Sequence, residues 1–296
     1  EVISSLHTII KSIELVDGSS QRSLTLLTHR SYGIDHSEIP GPVASPLVAV
    51  NQLIPLEFKQ WRSQLLDIDA SMLLPQLVSS SFELRQKPGS YLASRRIIRK
   101  DQTWVESLGS FPAVAPNERQ VMLKQHGVYI ITGGFNAGGR SLARYLAREY
   151  RVNLVLVTDE EMPAVVNAQD TKYIKQLGFV QELEEMGAQV TIIGADLTQE
   201  EEVGEMIAKT VKDYGKIDGV FHLEYDATAI SLQELKEAEM SKTRSVRQEG
   251  TWHLYQHLLT ENPDFLLLFG KLDLFTLPEP NLLSLAGDAF GYSFSS

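Results

Sequence analysis

A cluster of four glycines between an apolar run and a helical pattern constrains the fold of this chain more than any other feature. The apolar run, Val128 to Ile131, is typical of a buried strand. The glycines are Gly133, Gly134, Gly138 and Gly139, and the helical positions are Leu142, Ala143, Leu146 and Tyr150. This order aims backbone N–H groups and a helix N-terminus at a pyrophosphate. A tight turn that binds nothing has the same pattern, and the loop alone leaves both interpretations open.

Strands and helices alternate regularly beyond this loop. The predicted strands are Val128–Ile131, Val152–Val157, Gln189–Ile193, Ile217–Leu223 and Phe265–Phe269, and the predicted helices are Gly139–Tyr150, one ending near Gly187, a capped one over Thr198–Tyr214 and a helical region over Leu232–Leu259. Such alternation predicts an α/β fold with a doubly wound parallel sheet, helices on both faces and right-handed crossovers.

The first 120 residues form a second α/β segment, which has no glycine-rich phosphate turn. Its predicted elements are helices over Val2–Leu15, Leu47–Glu57 and Ser71–Ser80 and strands over Ser23–Thr28, Arg62–Ile68 and Tyr91–Ile98. The last strand is basic, with Arg95 and Arg96 in it and Arg99 after it. We favour a solvated edge protected by charge over an anion site. The polar connection Gly109–Lys124 predicts a domain boundary, which gives domains 1–120 and 121–296.

Composition excludes several function classes. The 296 residues are 43% hydrophobic and carry a net charge of −11, which disfavours nucleic acid and anionic membranes as partners. Without cysteine, disulfides, thiolate catalysis and Cys-based metal sites are excluded. No apolar run has the length of a bilayer span, and residues 1–20 alternate apolar and charged positions, unlike a signal peptide. These features are compatible with a cytoplasmic protein.

Two candidate sites each have an ordinary alternative. Asp159 lies at the end of the second strand, where a carboxylate can bind the ribose hydroxyls of NAD and repel the 2′-phosphate of NADP. Because Glu160 and Glu161 follow it, we slightly favour a solvated acidic turn over a ribose-binding site. His253 and His257 have a spacing that can hold zinc, but no third ligand is evident, so we expect no metal site.

A series of motifs resembles the ketoreductase domains of modular polyketide synthases, which are short-chain dehydrogenase/reductase (Rossmann) folds. The series is Thr132-Gly-Gly with Gly139, Gly187-Ala-Gln-Val, Gly194-Ala-Asp196, Gly215-Lys-Ile-Asp-Gly-Val-Phe-His222, Gly250-Thr-Trp-His-Leu254, Asp264-Phe-Leu-Leu-Leu-Phe269 and Asp288-Ala-Phe290. Residues 1–120 resemble the truncated structural subdomain of that family. Ser45–Asp69, with Pro55-Leu-Glu57, resembles the versions from trans-acyltransferase synthases.

The resemblance implies that the catalytic tetrad is degenerate. The family's catalytic tyrosine falls on Ser284, its serine on Lys271, its lysine on Arg247 and its asparagine on Asp288. An alkyl alcohol is a much weaker acid than a phenol. Arginine is bulkier than lysine, and its charged group points in different directions. The resemblance therefore implies a domain without ketoreductase chemistry.

The resemblance also implies a damaged NADPH site. Asn136 and Ala137 stand at glycine positions of the family loop, and Asp159 replaces the arginine that holds the 2′-phosphate. The small residues after the fourth strand become Leu223-Glu224-Tyr225. The residual cofactor positions are Thr132, Gly133, Gly139, Asp159 and Asp196. Although the family uses NADPH, we expect no cofactor here.

The resemblance predicts an inactive pseudo-ketoreductase with a structural role in a synthase module. Its partners would be neighbouring domains of the same chain, such as a dehydratase, a methyltransferase or an acyl carrier protein. One alternative is an active NAD(P)H-dependent β-ketoacyl reductase that uses Tyr225 or Tyr292 as the acid, with Asp159 selecting NADH. A second is a methyltransferase-like use of the loop, with Asp159 on the ribose of S-adenosylmethionine, which the family match opposes.

Overall fold

The computed structural model describes residues 2–16, 20–34, 38–69, 95–99, 102–106, 109–110, 123–163, 167, 169–223, 231–233, 246–272, 275 and 282–295. The strands are β1 (Arg22–His29), β2 (Trp61–Ile68), β3 (Arg95–Arg99), β4 (Gln102–Trp104), β5 (Val128–Thr132), β6 (Asn153–Thr158), β7 (Gln189–Gly194), β8 (Gly219–His222) and β9 (Phe265–Leu268). The α-helices are α1 (Val2–Val16), α2 (Leu47–Glu57), α3 (Ala137–Tyr150), α4 (Thr171–Glu185), α5 (Glu200–Tyr214), α6 (Thr251–Glu261) and α7 (Leu282–Ser295).

The chain divides into two compact units. The first comprises Glu1–Phe111, Asp226–Arg244 and Gly270–Ser296, and the second comprises Pro112–Tyr225 and Ser245–Phe269. This division differs from the boundary expected near residue 120, because two later segments pack with the first unit. The clearest is α7, whose apolar side chains share a core with α1 and α2.

The second unit is a five-stranded parallel sheet in the order β7-β6-β5-β8-β9. Successive residues of the central strand point to opposite faces. Tyr129 and Ile131 pack with α3 and α4, whereas Ile130 packs with α5 and α6. The predicted doubly wound parallel sheet is therefore confirmed, with β5 at its centre and both faces buried.

The first unit is a four-stranded sheet in the order β1-β2-β3-β4. Strands β1, β2 and β3 are parallel, and β4 returns antiparallel to β3. Helices α1, α2 and α7 cover this sheet with an apolar core that includes Ile10, Leu53 and Leu285. The predicted strands and the two helices at 2–15 and 47–57 are confirmed, whereas the predicted helix Ser71–Ser80 and residues 91–94 lie outside the described residues.

The prediction that the basic strand is a solvated edge is wrong. Strand β3 pairs with β2 on one side and β4 on the other, so it is an interior strand. Arg95 and Arg99 are buried, and each meets a carboxylate: Arg95 with Glu106 at 2.9 Å and Arg99 with Asp67 at 2.8 Å. Carboxylate partners, rather than water, allow this strand to bury its guanidinium groups.

The structure differs from two smaller predictions for the second half of the chain. Helix α5 begins at Glu200 rather than Thr198, because Asp196 Oδ1 accepts hydrogen bonds from the backbone N–H and hydroxyl of Thr198 and so forms a turn ahead of the helix. The helical region expected from Leu232 contains a π-helical turn, Val246–Gly250, followed by α6. In the part of the chain that the structure describes, no helix combines the length and hydropathy needed to cross a bilayer.

Candidate functional site

The strand order of the second unit reverses at β5. Strands β6 and β7 lie on one side of it, and β8 and β9 lie on the other. Ligands of open α/β sheets bind outside the carboxyl ends of the strands at such a switch point. Here the adjoining ends are Thr132 and His222, which are partners in the β5–β8 register. The glycine turn follows Thr132, so the candidate site lies at this edge of the sheet.

The glycines of the turn are required by close backbone contacts. Gly133 adopts a φ of +65°, in the left-handed region that favours glycine. A Cβ added to Gly139 would lie 2.2 Å from the carbonyl oxygen of Gly133, which no side chain could tolerate. The two residues thus let α3 start immediately against the end of β5, as a dinucleotide-binding turn does.

The side chain of Asn136 closes this turn from within. Its Oδ1 accepts a hydrogen bond from the backbone N–H of Gly139 at 2.8 Å, and its Nδ2 donates to the carbonyl oxygen of Leu223 at 2.9 Å. Asn136 is therefore both the N-cap of α3 and a bridge to the segment that follows β8. The resemblance places Asn136 only at a glycine position of the family loop, whereas an Asn just before a predicted helix is itself an N-cap signal.

The side chain of Asn136 packs against the glycine turn. A Cβ added to Gly133 would meet Asn136 Nδ2 at 2.7 Å, so the amide group lies directly over the glycine turn. The N–H of Gly139, one of the N–H groups at the N-terminus of α3, donates to Asn136 Oδ1. Leu223, in place of a small residue, is buried at the same edge. The side chain of Asn136 thus bonds a backbone N–H and a backbone carbonyl beside the turn.

Thr132 and His222 form a buried polar pair beneath this turn. Thr132 Oγ1 lies 2.7 Å from His222 Nδ1, and both side chains are buried. His222 Nε2 is also buried and has no hydrogen-bond partner among the described residues. Burial, reinforced by the positive charge of Arg247, lowers the pKa of His222 to about 3. A neutral imidazole is therefore built into the floor of the site, and the sequence interpretation missed it.

Replacing His222 by glutamine should weaken the acid sensitivity of the chain. The folded pKa is about 3 and the ordinary value is 6.5, so stabilisation by the neutral ring is fully present above pH 6.5 and is lost as the pH falls toward 3. The loss should be about 1.4 kcal/mol per pH unit below 6.5. Urea unfolding between about pH 7 and pH 5 measures it. The exposed control His126→Asn should keep the wild-type slope, and an unchanged slope in His222→Gln would contradict the assignment.

The two acidic candidates lie on turns at neighbouring strand ends. Asp159 follows β6, and its side chain is 79% exposed, with its Oδ1 3.5 Å from Lys172 Nζ. Glu160 shares that lysine at 3.3 Å. This is the geometry of a solvated acidic turn, and solvent reduces its repulsion of a 2′-phosphate. Asp196 follows β7 and uses Oδ1 for its own turn with Thr198.

The tetrad positions divide between the two units. Arg247 belongs to the second unit, where it is buried and donates a hydrogen bond to the carbonyl oxygen of Phe269. Lys271, Ser284 and Asp288 belong to the first. Asp288 Oδ1 accepts the backbone N–H of Lys271 at 3.1 Å, while Ser284 is buried on α7. Arg247 and Asp288 thus each hydrogen-bond a backbone group of their own unit.

The two helix histidines have structural contacts. His253 Nδ1 lies 3.0 Å from the carbonyl oxygen of Leu197, and the ring of His257 packs against Gly204 of α5. Within the described ranges, no group of three or more histidine or acidic side chains could hold a metal ion. The candidate residues Glu224 and Tyr225 lie outside these ranges, and Tyr292 is 42% exposed on α7.

Comparison with known proteins finds polyketide synthases and a family model for one of their domains. The family model described as "KR domain" matches residues 127–272. Polyketide synthase PksM of Bacillus subtilis (strain 168) is 21% identical over 273 residues, which is 92% of this chain and 6% of that protein. Polyketide synthase ThaG of Burkholderia thailandensis (strain ATCC 700388 / DSM 13276 / CCUG 48851 / CIP 106301 / E264) is 23% identical over 98% of this chain and 5% of its own length. The chain thus spans about a twentieth of such relatives.

Solved structures share the fold over nearly the full chain. A ketoreductase domain from the bacillaene assembly line superposes with a TM-score of 0.81 at 15% identity, covering 99% of this chain and 65% of that one. A C2-type ketoreductase from a modular polyketide synthase gives 0.78 at 19% identity, covering 99% of this chain and 60% of that one. At these identities the likeness concerns the fold alone.

Proposed function

Because the chain belongs to the ketoreductase domains of polyketide synthases, we propose that it is a catalytically inactive member with a structural role in its module. The proposal has two parts: the domain binds no NADPH, and it reduces no β-ketoacyl substrate. Its two-subdomain organisation is retained because each unit buries its own apolar core.

The observation that carries the proposal is the position of Asn136. Its amide oxygen caps the Gly139 N–H and its amide nitrogen bonds the Leu223 carbonyl, so both ends of the group are satisfied by the protein itself. A pyrophosphate would have to displace this side chain and leave the Leu223 carbonyl without its donor. Because these two hydrogen bonds would be lost, binding a pyrophosphate here costs more free energy than binding one at an open glycine turn.

The tetrad positions support the same conclusion. A general acid is most effective when its pKa lies near the operating pH, which for a phenol or an alcohol means a lowered pKa. Ser284 offers only an alcohol, and Arg247 donates a hydrogen bond to the Phe269 carbonyl. Tyr292, a possible replacement acid in the active-reductase alternative, has its pKa raised by burial and by the nearby carboxylate of Glu106. A raised pKa makes that phenol a weaker acid.

The size of the relatives supports a role within a longer polypeptide. Since the chain matches only 5–6% of PksM and ThaG, domains of this kind are parts of much longer polypeptides. We propose that its partners are adjoining domains, such as a dehydratase, a methyltransferase or an acyl carrier protein, in a cytoplasmic synthase of the trans-acyltransferase type. The match of Ser45–Asp69 to that type supports the last point.

A turnover assay tests the proposal. The purified chain is mixed with a β-ketoacyl thioester and NADPH or NADH, and cofactor oxidation is followed by absorbance at saturating substrate. We expect no rate above a protein-free blank with either cofactor. An active ketoreductase domain from a related synthase serves as the positive control. Reduction by this chain at a rate near that of the control would show that the tetrad has been replaced rather than lost.

A further inference from the structure

One face of the sheet in the first unit carries both apolar side chains and a buried cation. Leu65 of β2 is the register partner of Arg95 in β3, and Ile97 of β3 is the partner of Trp104 in β4. Because Arg95 and Ile97 are two residues apart, all four side chains share one face. Leu65 and Ile97 pack there in the apolar core that includes Ala289 of α7. A cavity lies on this face, beside the buried Arg95.

The cavity has the size of one small ring. Its volume is about 170 Å³, and all its lining residues belong to the first unit. Since a cavity of about 150 Å³ holds one benzene molecule, this space fits a single ring with one or two further atoms. Tyr32, Trp104 and Tyr292 contribute aromatic rings to the lining, and Leu65 and Ile97 contribute aliphatic groups. Such walls favour a flat, mainly apolar ligand.

An ion pair forms the polar part of the lining. Arg95 Nη2 lies 2.9 Å from Glu106 Oε2, so the two charges offset each other. The hydroxyl of Tyr292 also forms a hydrogen bond with Glu106, and the hydroxyl of Tyr32 lies beside Arg95. Burial raises the pKa of Glu106, although Arg95 acts in the opposite direction, because the carboxylate is poorly hydrated. An ionised carboxylate has about four acceptor positions, so Glu106 can accept a further hydrogen bond from a ligand.

We propose that this cavity binds a small neutral molecule that consists of one ring and one hydroxyl group. The ring contacts Ile97 and Trp104, and the hydroxyl donates a hydrogen bond to the carboxylate of Glu106. A neutral ligand is favoured because the ion pair is already balanced, so an anion is repelled by Glu106 and a cation by Arg95. The glycine turn belongs to the other unit, and the proposal does not depend on dinucleotide binding or on reductase activity.

Titration of the whole chain with phenol tests the site. Phenols have a pKa of about 10, so the probe is neutral at pH 7. The indole N–H of Trp104 is followed in ¹⁵N NMR spectra, where the variant Trp104→Leu assigns its signal. We expect a saturable shift with a Kd of about 1 mM, in keeping with a ligand of so few atoms. Toluene lacks the hydroxyl and should bind about tenfold more weakly, and benzoate, an anion, should bind no better than toluene.

Two carboxylates of the first unit provide a matched pair of variants. Glu106→Gln should weaken phenol binding about tenfold and leave toluene binding unchanged, because a charged acceptor is replaced by a neutral one. Glu38 has the same exposed fraction as Glu106, 21%, but pairs with Arg99 instead. Glu38→Gln should therefore bind phenol like the parent chain.

Two exposed tryptophans keep the test decisive if Glu106→Gln fails to fold. Trp104 lines the cavity, whereas Trp252 lies on α6 in the second unit. Saturation-transfer NMR of phenol should show weaker binding to Trp104→Leu than to Trp252→Leu. The proposal is overturned if the parent chain shows no saturable phenol binding, or if toluene or benzoate binds as tightly as phenol. Equal phenol affinities within either pair of variants also overturn it.

Discussion

Changing Asn136 to glycine and Asp159 to arginine together should give the chain measurable affinity for NADPH. The first change removes the amide that lies over the glycine turn and frees the Gly139 N–H at the positive end of α3. The second exchanges an acidic side chain at the end of β6 for a guanidinium group that can bind a 2′-phosphate. Together we expect a gain of at least about a hundredfold, which corresponds to about 2.7 kcal/mol. NADPH fluorescence at low salt measures it.

Single and conservative changes serve as controls for this experiment. Asn136→Asp keeps an acceptor for the Gly139 N–H and a good N-cap, but it brings a negative charge to the turn. It should therefore bind no better than the parent chain, even in the Asp159→Arg background. If Asp159→Arg binds as tightly with Asn136 present as with glycine, then Asn136 does not close the site.

The largest stability effect is expected at Asp67, in the first unit. Its carboxylate is fully buried and accepts hydrogen bonds from Thr28 Oγ1 at 2.6 Å and the Ser31 N–H at 2.8 Å, in addition to Arg99 Nη2 at 2.8 Å. Removing the carboxylate in Asp67→Ala leaves the Arg99 guanidinium buried without this partner. The free energy of unfolding should fall by about 3–5 kcal/mol. Urea unfolding followed by Trp61 fluorescence reports it, because Trp61 is buried in the same unit.

Glu38 provides a matched control for Asp67. It also pairs with Arg99, at 3.0 Å, but its side chain is 21% exposed. Glu38→Ala should therefore cost about 1 kcal/mol or less, as partly solvated ion pairs do. Equal losses in the two variants would contradict the view that complete burial of Asp67 makes this network essential.

The second unit was largely predictable from sequence. Its central strands β5, β6 and β8 are continuous apolar runs buried on both faces, so local pattern and tertiary structure agree there. Strand β5 was expected at 128–131 and spans Val128–Thr132. The parallel arrangement of the strands, with helices on both faces, was expected from the alternation of elements, whereas the strand order was not predicted.

The buried polar contacts were harder to predict, because their partners are distant in sequence. The basic strand was misassigned because Asp67 lies 32 residues from Arg99, and nothing local shows that they meet. Asn136 was recognised as a departure from the family, but its bond to Leu223, 87 residues away, is a tertiary contact. The packing of α7 with the first unit likewise depends on apolar partners from α1 and α2. Periodicity identifies a buried face but not what covers it.

The central claim concerns the cofactor, and calorimetric titration of the unaltered chain with NADPH tests it most directly. The titration is run at low ionic strength, where attractive contacts to phosphate are strongest, with an active ketoreductase domain as the positive control. The position of Asn136 over the glycine turn predicts no heat of binding for NADPH and, at most, weak binding of NADH, which lacks the 2′-phosphate. Micromolar binding of NADPH would contradict the account, and micromolar binding of NADH alone would favour the NAD-dependent reductase.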